Sequence, residues 1–99
     1  EERMSLLERL QLGMLSLRVA TGSHPSGVRI TSEDFASLRE GADDLPFGGF
    51  VECALHEPRG PRAHFLGVPL FESGETTAGE VVLFLVDGDW QWTMKWSLK

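Results

Sequence analysis

The sequence predicts an α+β domain: an antiparallel sheet of five to six strands, with an N-terminal helix and a short second helix packed on one face. Three observations carry this prediction. Two β-prone runs, Glu80 to Val86 and Asp89 to Lys99, flank Asp87-Gly88, a strong short-range hairpin signal. Apolar residues recur at helical spacing near the start, at Met4, Leu7, Leu10 and Met14. Between these regions lie short alternating segments punctuated by Gly and Pro. The chain has 99 residues, enough for one domain, 1–99, with a single modest core.

The first apolar stripe predicts a helix to about Gln11, preceded by acids that suit the positive end of the helix dipole. Gly13 costs about 1 kcal/mol inside a helix, and Leu15, Leu17 and Val19 then alternate with polar residues. A break at Gly13 followed by a strand from Met14 to Thr21 is therefore expected, with a continuous helix to Val19 as the alternative. Gly22 to Gly27 is turn chemistry, and Val28 to Thr31 is a short strand able to return antiparallel to the Met14 run. Ser32 reads as the cap of a second helix that presents Phe35 and Leu38 and ends near Gly41.

Phe50 to His56 alternates, with Val51, Cys53 and Leu55 assigned to the core side. After the Glu57 to Pro61 turn, Arg62 to Phe71 is extended, and Pro69 marks an edge, a bulge or a strand boundary. Glu72 to Gly79 reads as a mobile polar loop. With Asp87-Gly88 as the hairpin loop, Val86 faces Asp89, Leu85 faces Trp90, Leu83 faces Trp92 and Val81 faces Met94. One face then carries Val81, Leu83, Leu85, Trp90, Trp92, Met94 and Trp96, and the first helix is its expected cover. The other face of the last strand carries Gln91, Thr93 and Lys95, which places that strand near an edge of the sheet.

Composition narrows the functional classes. A net charge of −6 and only two lysines argue against nucleic acid as a partner. No apolar run approaches a membrane span, and no secretion signal is visible. The single cysteine, Cys53, excludes an internal disulfide framework and makes a reducing, cytoplasmic setting the default expectation. No sequence pattern calls for a metal or a cofactor. His56, His64 and Glu52 are the nearest approach to a zinc or acid–base set, but their spacing matches no compact motif. Cys53 reads as a buried apolar cysteine rather than a nucleophile. The acidic run Glu33, Asp34, Glu40, Asp43 and Asp44 reads as a solvated face.

A helix ahead of strands and a Trp-bearing final strand are broadly similar to cystatin-like and nuclear-transport-factor-2-like folds, whose cones hold ligands in some members. Small acidic α+β secretion chaperones are a second, looser likeness. No defining motif of these groups is matched, and no residue role is carried over.

The leading expectation is a non-catalytic module that binds another protein, or itself as a homodimer. It would use the last strand at Trp96, Gln91, Thr93 and Lys95, together with the Glu72 to Gly79 loop. The alternative is a small-ligand cone lined by Trp90, Trp92, Met94, Leu83 and Phe65. A small enzyme with a His/Glu site is the third reading. In the leading reading Trp90 and Trp92 floor the core, and Trp96 reaches outward.

Overall fold

A computed structural model describes residues 5–42, 49–54 and 59–98. Its order is α1 (Leu6–Thr21), β1 (Gly27–Ile30), α2 (Ser32–Ala42), β2 (Phe50–Glu52), β3 (Ala63–Phe65), β4 (Val68–Glu72), β5 (Glu80–Asp87) and β6 (Trp90–Ser97). The six strands form one mixed, mostly antiparallel sheet in the order β2-β3-β4-β1-β5-β6. This is the α+β class expected.

α1 is continuous, so the break at Gly13 and the strand from Met14 to Thr21 are corrected. Ser5 caps it, its hydroxyl accepting the Glu8 N–H at 3.2 Å, and Gly22 closes it with its N–H on the Arg18 carbonyl at 2.7 Å. Leu7, Leu10, Met14 and Leu17 are buried as one stripe, whereas Leu15 and Val19 are exposed. The period-two reading failed because Gly13 is not a helix stop. It is the contact point with the sheet: a Cβ there would lie 2.7 Å from Trp96 Cδ1. With the Met14 run helical, β1 finds other neighbours. It pairs antiparallel to β5 and parallel to β4, so it joins the β2-β3-β4 meander to the terminal hairpin.

α2 is capped by Thr31 rather than Ser32, since the Thr31 hydroxyl accepts the Asp34 N–H at 3.1 Å. Phe35 and Leu38 are buried as expected. The extended stretch from Arg62 is split by a tight turn at Leu66 and Gly67, both at positive φ (52° and 83°), as a type I′ hairpin requires. Pro69 lies opposite His64 in the interior strand β4, one residue before the β1 register begins at Val28 and Leu70.

The terminal hairpin keeps the expected faces but not the expected partners. Asp87 pairs with Trp90, Leu85 with Trp92, Leu83 with Met94 and Val81 with Trp96. Gly88 and Asp89 are the turn, and Gly88 alone of the two has positive φ, at 62°. A two-residue loop with glycine first is the II′ pattern, which moves the loop one residue along from the I′ reading. The shift changes every partner by two positions, so each side chain stays on its face.

Both helices cover one side of the sheet. Leu7, Leu10 and Leu17 of α1 and Leu38 of α2 meet Val28, Ile30, Phe65, Leu70, Val81 and Leu83, all at 0 or 1% exposure. On the opposite side Phe71 and Phe84 pack at 5.8 Å between centroids, with the Arg29 guanidinium 4.7 Å from the Phe84 ring.

The Glu72 to Gly79 segment, expected to be mobile, is tied at both ends. The Ser73 N–H donates to the Ile30 carbonyl at 2.8 Å, and the Gly79 N–H donates to the Asp34 carboxylate at 2.7 Å. Asp34 is 8% exposed and sits in the first turn of α2, so its charge is held by a backbone donor and by the helix dipole. Asp34→Ala is expected to cost about 2 kcal/mol of stability, in the range for a hydrogen bond to a charged acceptor. Urea denaturation checks this, with Asp34→Asn recovering most of the loss.

Candidate functional site

β6 is the outermost strand of the sheet at its C-terminal side. Its backbone directions follow from one bond beyond its end: the Leu98 N–H donates to the Gly79 carbonyl at 2.9 Å, toward β5. Backbone groups alternate sides along a strand, so Trp90, Trp92, Met94 and Trp96 bond to β5. Gln91, Thr93, Lys95 and Ser97 turn their N–H and C=O groups outward. The outward carbonyl of Ser97 is taken by α1, since Arg9 Nε donates to it at 3.0 Å. The strand has no proline, glycine or bulge, and its full length pairs with β5 without a slip. Proline and bulges are among the devices by which sheets blunt an edge, and of that set β6 carries only the charge of Lys95. The opposite edge strand, β2, is three residues long.

The aromatic face of β6 changes character along its length. Trp96 is clasped by α1: its indole N–H donates to the Arg9 carbonyl at 2.9 Å, the Arg9 guanidinium lies 4.8 Å from its ring, and Gly13 sits against it. Met94 and Trp92 are half-buried. Trp90 is 52% exposed. The expected division, with Trp90 in the core floor and Trp96 reaching outward, is therefore reversed in space. α1 meets β6 at Trp96, through Arg9 and Gly13, whereas Trp90 at the hairpin tip stays exposed. Gln91, Thr93 and Lys95 lie on the exposed outer face as expected.

The residues expected to line a ligand cone are spread between the core and the surface. Leu83 and Phe65 are fully buried in the packed core. A cleft of about 380 Å³ lies instead on the flank of α1, bordered by Glu8, Gln11, Leu12, Met14, Leu15, Arg18, His24 and Leu66. None of the five expected residues borders it. Sequence reading missed this cleft because Leu66 reaches it only through the left-handed turn between β3 and β4.

The His/Glu set is not assembled by the residues described. His56 lies outside them, as do Leu55, Asp43 and Asp44. Glu52 lies opposite Ala63 and pairs with Arg39 of α2, whereas His64 lies opposite Val51 on the other face. Among the described residues no group of three or more His, Cys, Asp and Glu side chains is placed to hold a metal ion.

β2 has the opposite phase to that expected. Phe50 turns inward onto Phe35, at 6.0 Å between centroids, and Val51 is 60% exposed. Both faces of this segment carry apolar residues, and the larger Phe takes the core side. Cys53 is accordingly half-buried rather than a core residue, with its Sγ 3.6 Å from His64 Nδ1.

Among the described residues no helix is long and apolar enough to cross a membrane. Comparison of the chain with protein-family models, with curated proteins and with solved structures found no match.

Proposed function

We propose that this domain is a non-catalytic protein-interaction module that takes an extended strand of another polypeptide onto the open edge of β6. The observation that carries the reading is the outward N–H and C=O row of Gln91, Thr93 and Lys95, on an outermost strand eight residues long. Strand addition uses such a row for affinity and the side chains beside it for selectivity. The neighbouring Trp90, 52% exposed, supplies an aromatic anchor next to that row. The 72–79 loop packs at the far end of β6, through Gly79 and Leu98, and supports the strand there.

Thr93→Pro tests the edge directly. The Thr93 N–H points away from β5, so proline removes an outward donor and takes no bond from the hairpin. Association through β6 is expected to weaken at least about tenfold, since each edge hydrogen bond contributes about 1 kcal/mol and the added ring obstructs the incoming strand. Sedimentation equilibrium over a wide concentration range, with Thr93→Val as the control that keeps the N–H, reads the effect. For a chain that self-associates, equal association of the proline and valine variants would sink the proposal.

The cleft on α1 favours a second reading, small-ligand binding at Arg18 and His24 above the apolar Leu12, Leu15 and Leu66. Its check is the imidazole NMR signals of His24 during titration with a metabolite panel, where unmoved signals remove it.

A further inference from the structure

We infer that the polypeptide accepted by β6 is a second copy of this chain, added antiparallel in one register that sets Lys95 of each copy beside Asp89 of the other. This rests on the reading of β6 as a strand-pairing edge and assigns its partner. Three features of the strand point to it.

The first is where the edge is open. Arg9 holds the Ser97 carbonyl at 3.0 Å, which closes the outward row at that end. The turn at Gly88 and Asp89 closes the other. Counting Asp89, the turn residue that leads into β6 at Trp90, the segment offered for pairing is 89–95, and an antiparallel copy that uses all of it places Asp89 opposite Lys95 of its mate. Gln91 then falls opposite Thr93, and Trp92 lies on the two-fold axis opposite its own copy. Gln91 and Thr93 are both outward residues, so each such pair exchanges both of its N–H···O bonds.

The second feature is charge. Asp89 and Lys95 are the charged residues of the segment, one at each end and of opposite sign. A parallel copy in register would set like beside like. The antiparallel copy sets Asp beside Lys twice, once at each end of the interface. Sliding the register by two residues in one direction sets Asp89 against Ser97, already engaged by Arg9, and takes Lys95 to Gln91. Sliding it in the other direction moves Lys95 past the end of the paired segment. Odd shifts put the helix-bearing sides of the two copies on opposite faces of the joint sheet and oppose outward groups to inward ones. Among the registers that oppose outward groups to outward groups, the one that also matches the charges sets Asp89 beside Lys95.

The third feature is the uneven cover of the tryptophans. α1 lies over the Trp96 end of β6 and leaves the Trp90 end open. Antiparallel pairing sets the covered end of one copy beside the open end of the other. Trp90, 52% exposed in the single chain, then lies opposite Met94 of the second copy on the helix-bearing face. The contact is isologous and closed by the two-fold, so it yields a dimer with a continuous sheet and no filament.

The experiment is a charge swap on the full chain, read by sedimentation equilibrium, with circular dichroism to establish that each variant is folded. The wild type is expected to dimerise. Lys95→Asp sets two carboxylates together at both ends and is expected to weaken the dimer about tenfold, as is Asp89→Lys. The combined variant exchanges the partners and is expected to restore the wild-type constant to within about threefold, which misfolding or a general charge effect does not do. A second readout fixes the register. In a Cys53→Ser background, Gln91→Cys chains mixed with Thr93→Cys chains are expected to form mixed disulfides, and either chain alone is not. A dimer that Thr93→Pro abolishes but the swap does not restore overturns the register and leaves the β6 edge standing as the pairing site. A chain that is monomeric at every concentration overturns self-pairing and leaves the edge for a different polypeptide. A dimer that Thr93→Pro leaves unchanged overturns both.

Discussion

Gly13→Val is expected to destabilise the domain by about 3 kcal/mol, the upper end of what overpacking a core contact costs. Its sign is not obvious from the helix alone, because replacing a mid-helix glycine normally gains up to about 1 kcal/mol. The surroundings decide it. A Cβ at position 13 meets Trp96 Cδ1, Cγ and Nε1 at 2.7–2.8 Å, atoms of the pyrrole ring close to the side chain's root. The ring cannot swing aside without breaking its indole hydrogen bond to the Arg9 carbonyl, 2.9 Å long. α1 must instead lift from β6, which exposes Leu10 and Leu17 as well. Urea denaturation followed by tryptophan fluorescence reads both the loss of stability and a red shift of Trp96. Gly13→Ala, with the smallest side chain, is expected to lie between the two. A stability equal to wild type for the valine variant would mean that α1 is not seated on Trp96.

Phe65→Ala carries the largest expected effect, a loss of about 3–5 kcal/mol. Phe65 has 0% exposure in β3, opposite Phe50 on one neighbour and Val68 on the other. Those neighbours are backbone-paired sheet residues, so they collapse little into the vacated space and the cavity term stays large. For a domain of this size each 1 kcal/mol moves the midpoint by about 4–8 °C, which puts the expected drop in Tm near 20 °C. Scanning calorimetry measures it. Phe65 lies on an interior strand far in sheet order from β6, so below its melting temperature the variant should associate like wild type. That separates loss of fold from loss of the edge, which Thr93→Pro is expected to cause without a large fall in Tm.

The parts of this molecule legible in its sequence are those set by short-range geometry. Asp87-Gly88 between two β-prone runs marks the hairpin, although the turn settles at Gly88 and Asp89 because a glycine at the first loop position satisfies a II′ turn. The displaced register leaves every residue of β6 on its expected face, since a shift of two preserves alternation. Phe35 and Leu38 mark the inner side of α2 for the same local reason.

Other features depend on partners distant in the chain. Gly13 reads as a break until Trp96, eighty-odd positions away, is seen to need the space. Val28 to Ile30 is too short to carry information about its neighbours, and its parallel pairing with β4 arises from where α2 and the meander leave it. The face of Cys53 is not legible in the sequence, because Phe50 on one side of the strand and Val51 and Cys53 on the other are all apolar. The choice between the faces was made by Phe35 on another element.

By itself, the sequence determines which side chains travel together: the Leu7, Leu10, Met14 and Leu17 stripe, the Val81, Leu83 and Leu85 row, and the tryptophans opposite that row. Periods of 3.6 and 2 are properties of the backbone and need no tertiary information. Tertiary structure alone decides which part of each shared face is covered. α1 packs on β6 through Arg9 and Gly13 at Trp96, so identical residue types on one strand become a locked core contact at Trp96 and an open surface at Trp90. The same docking turns Arg9 onto Ser97 and leaves Gln91, Thr93 and Lys95 as the edge on which the proposed function rests.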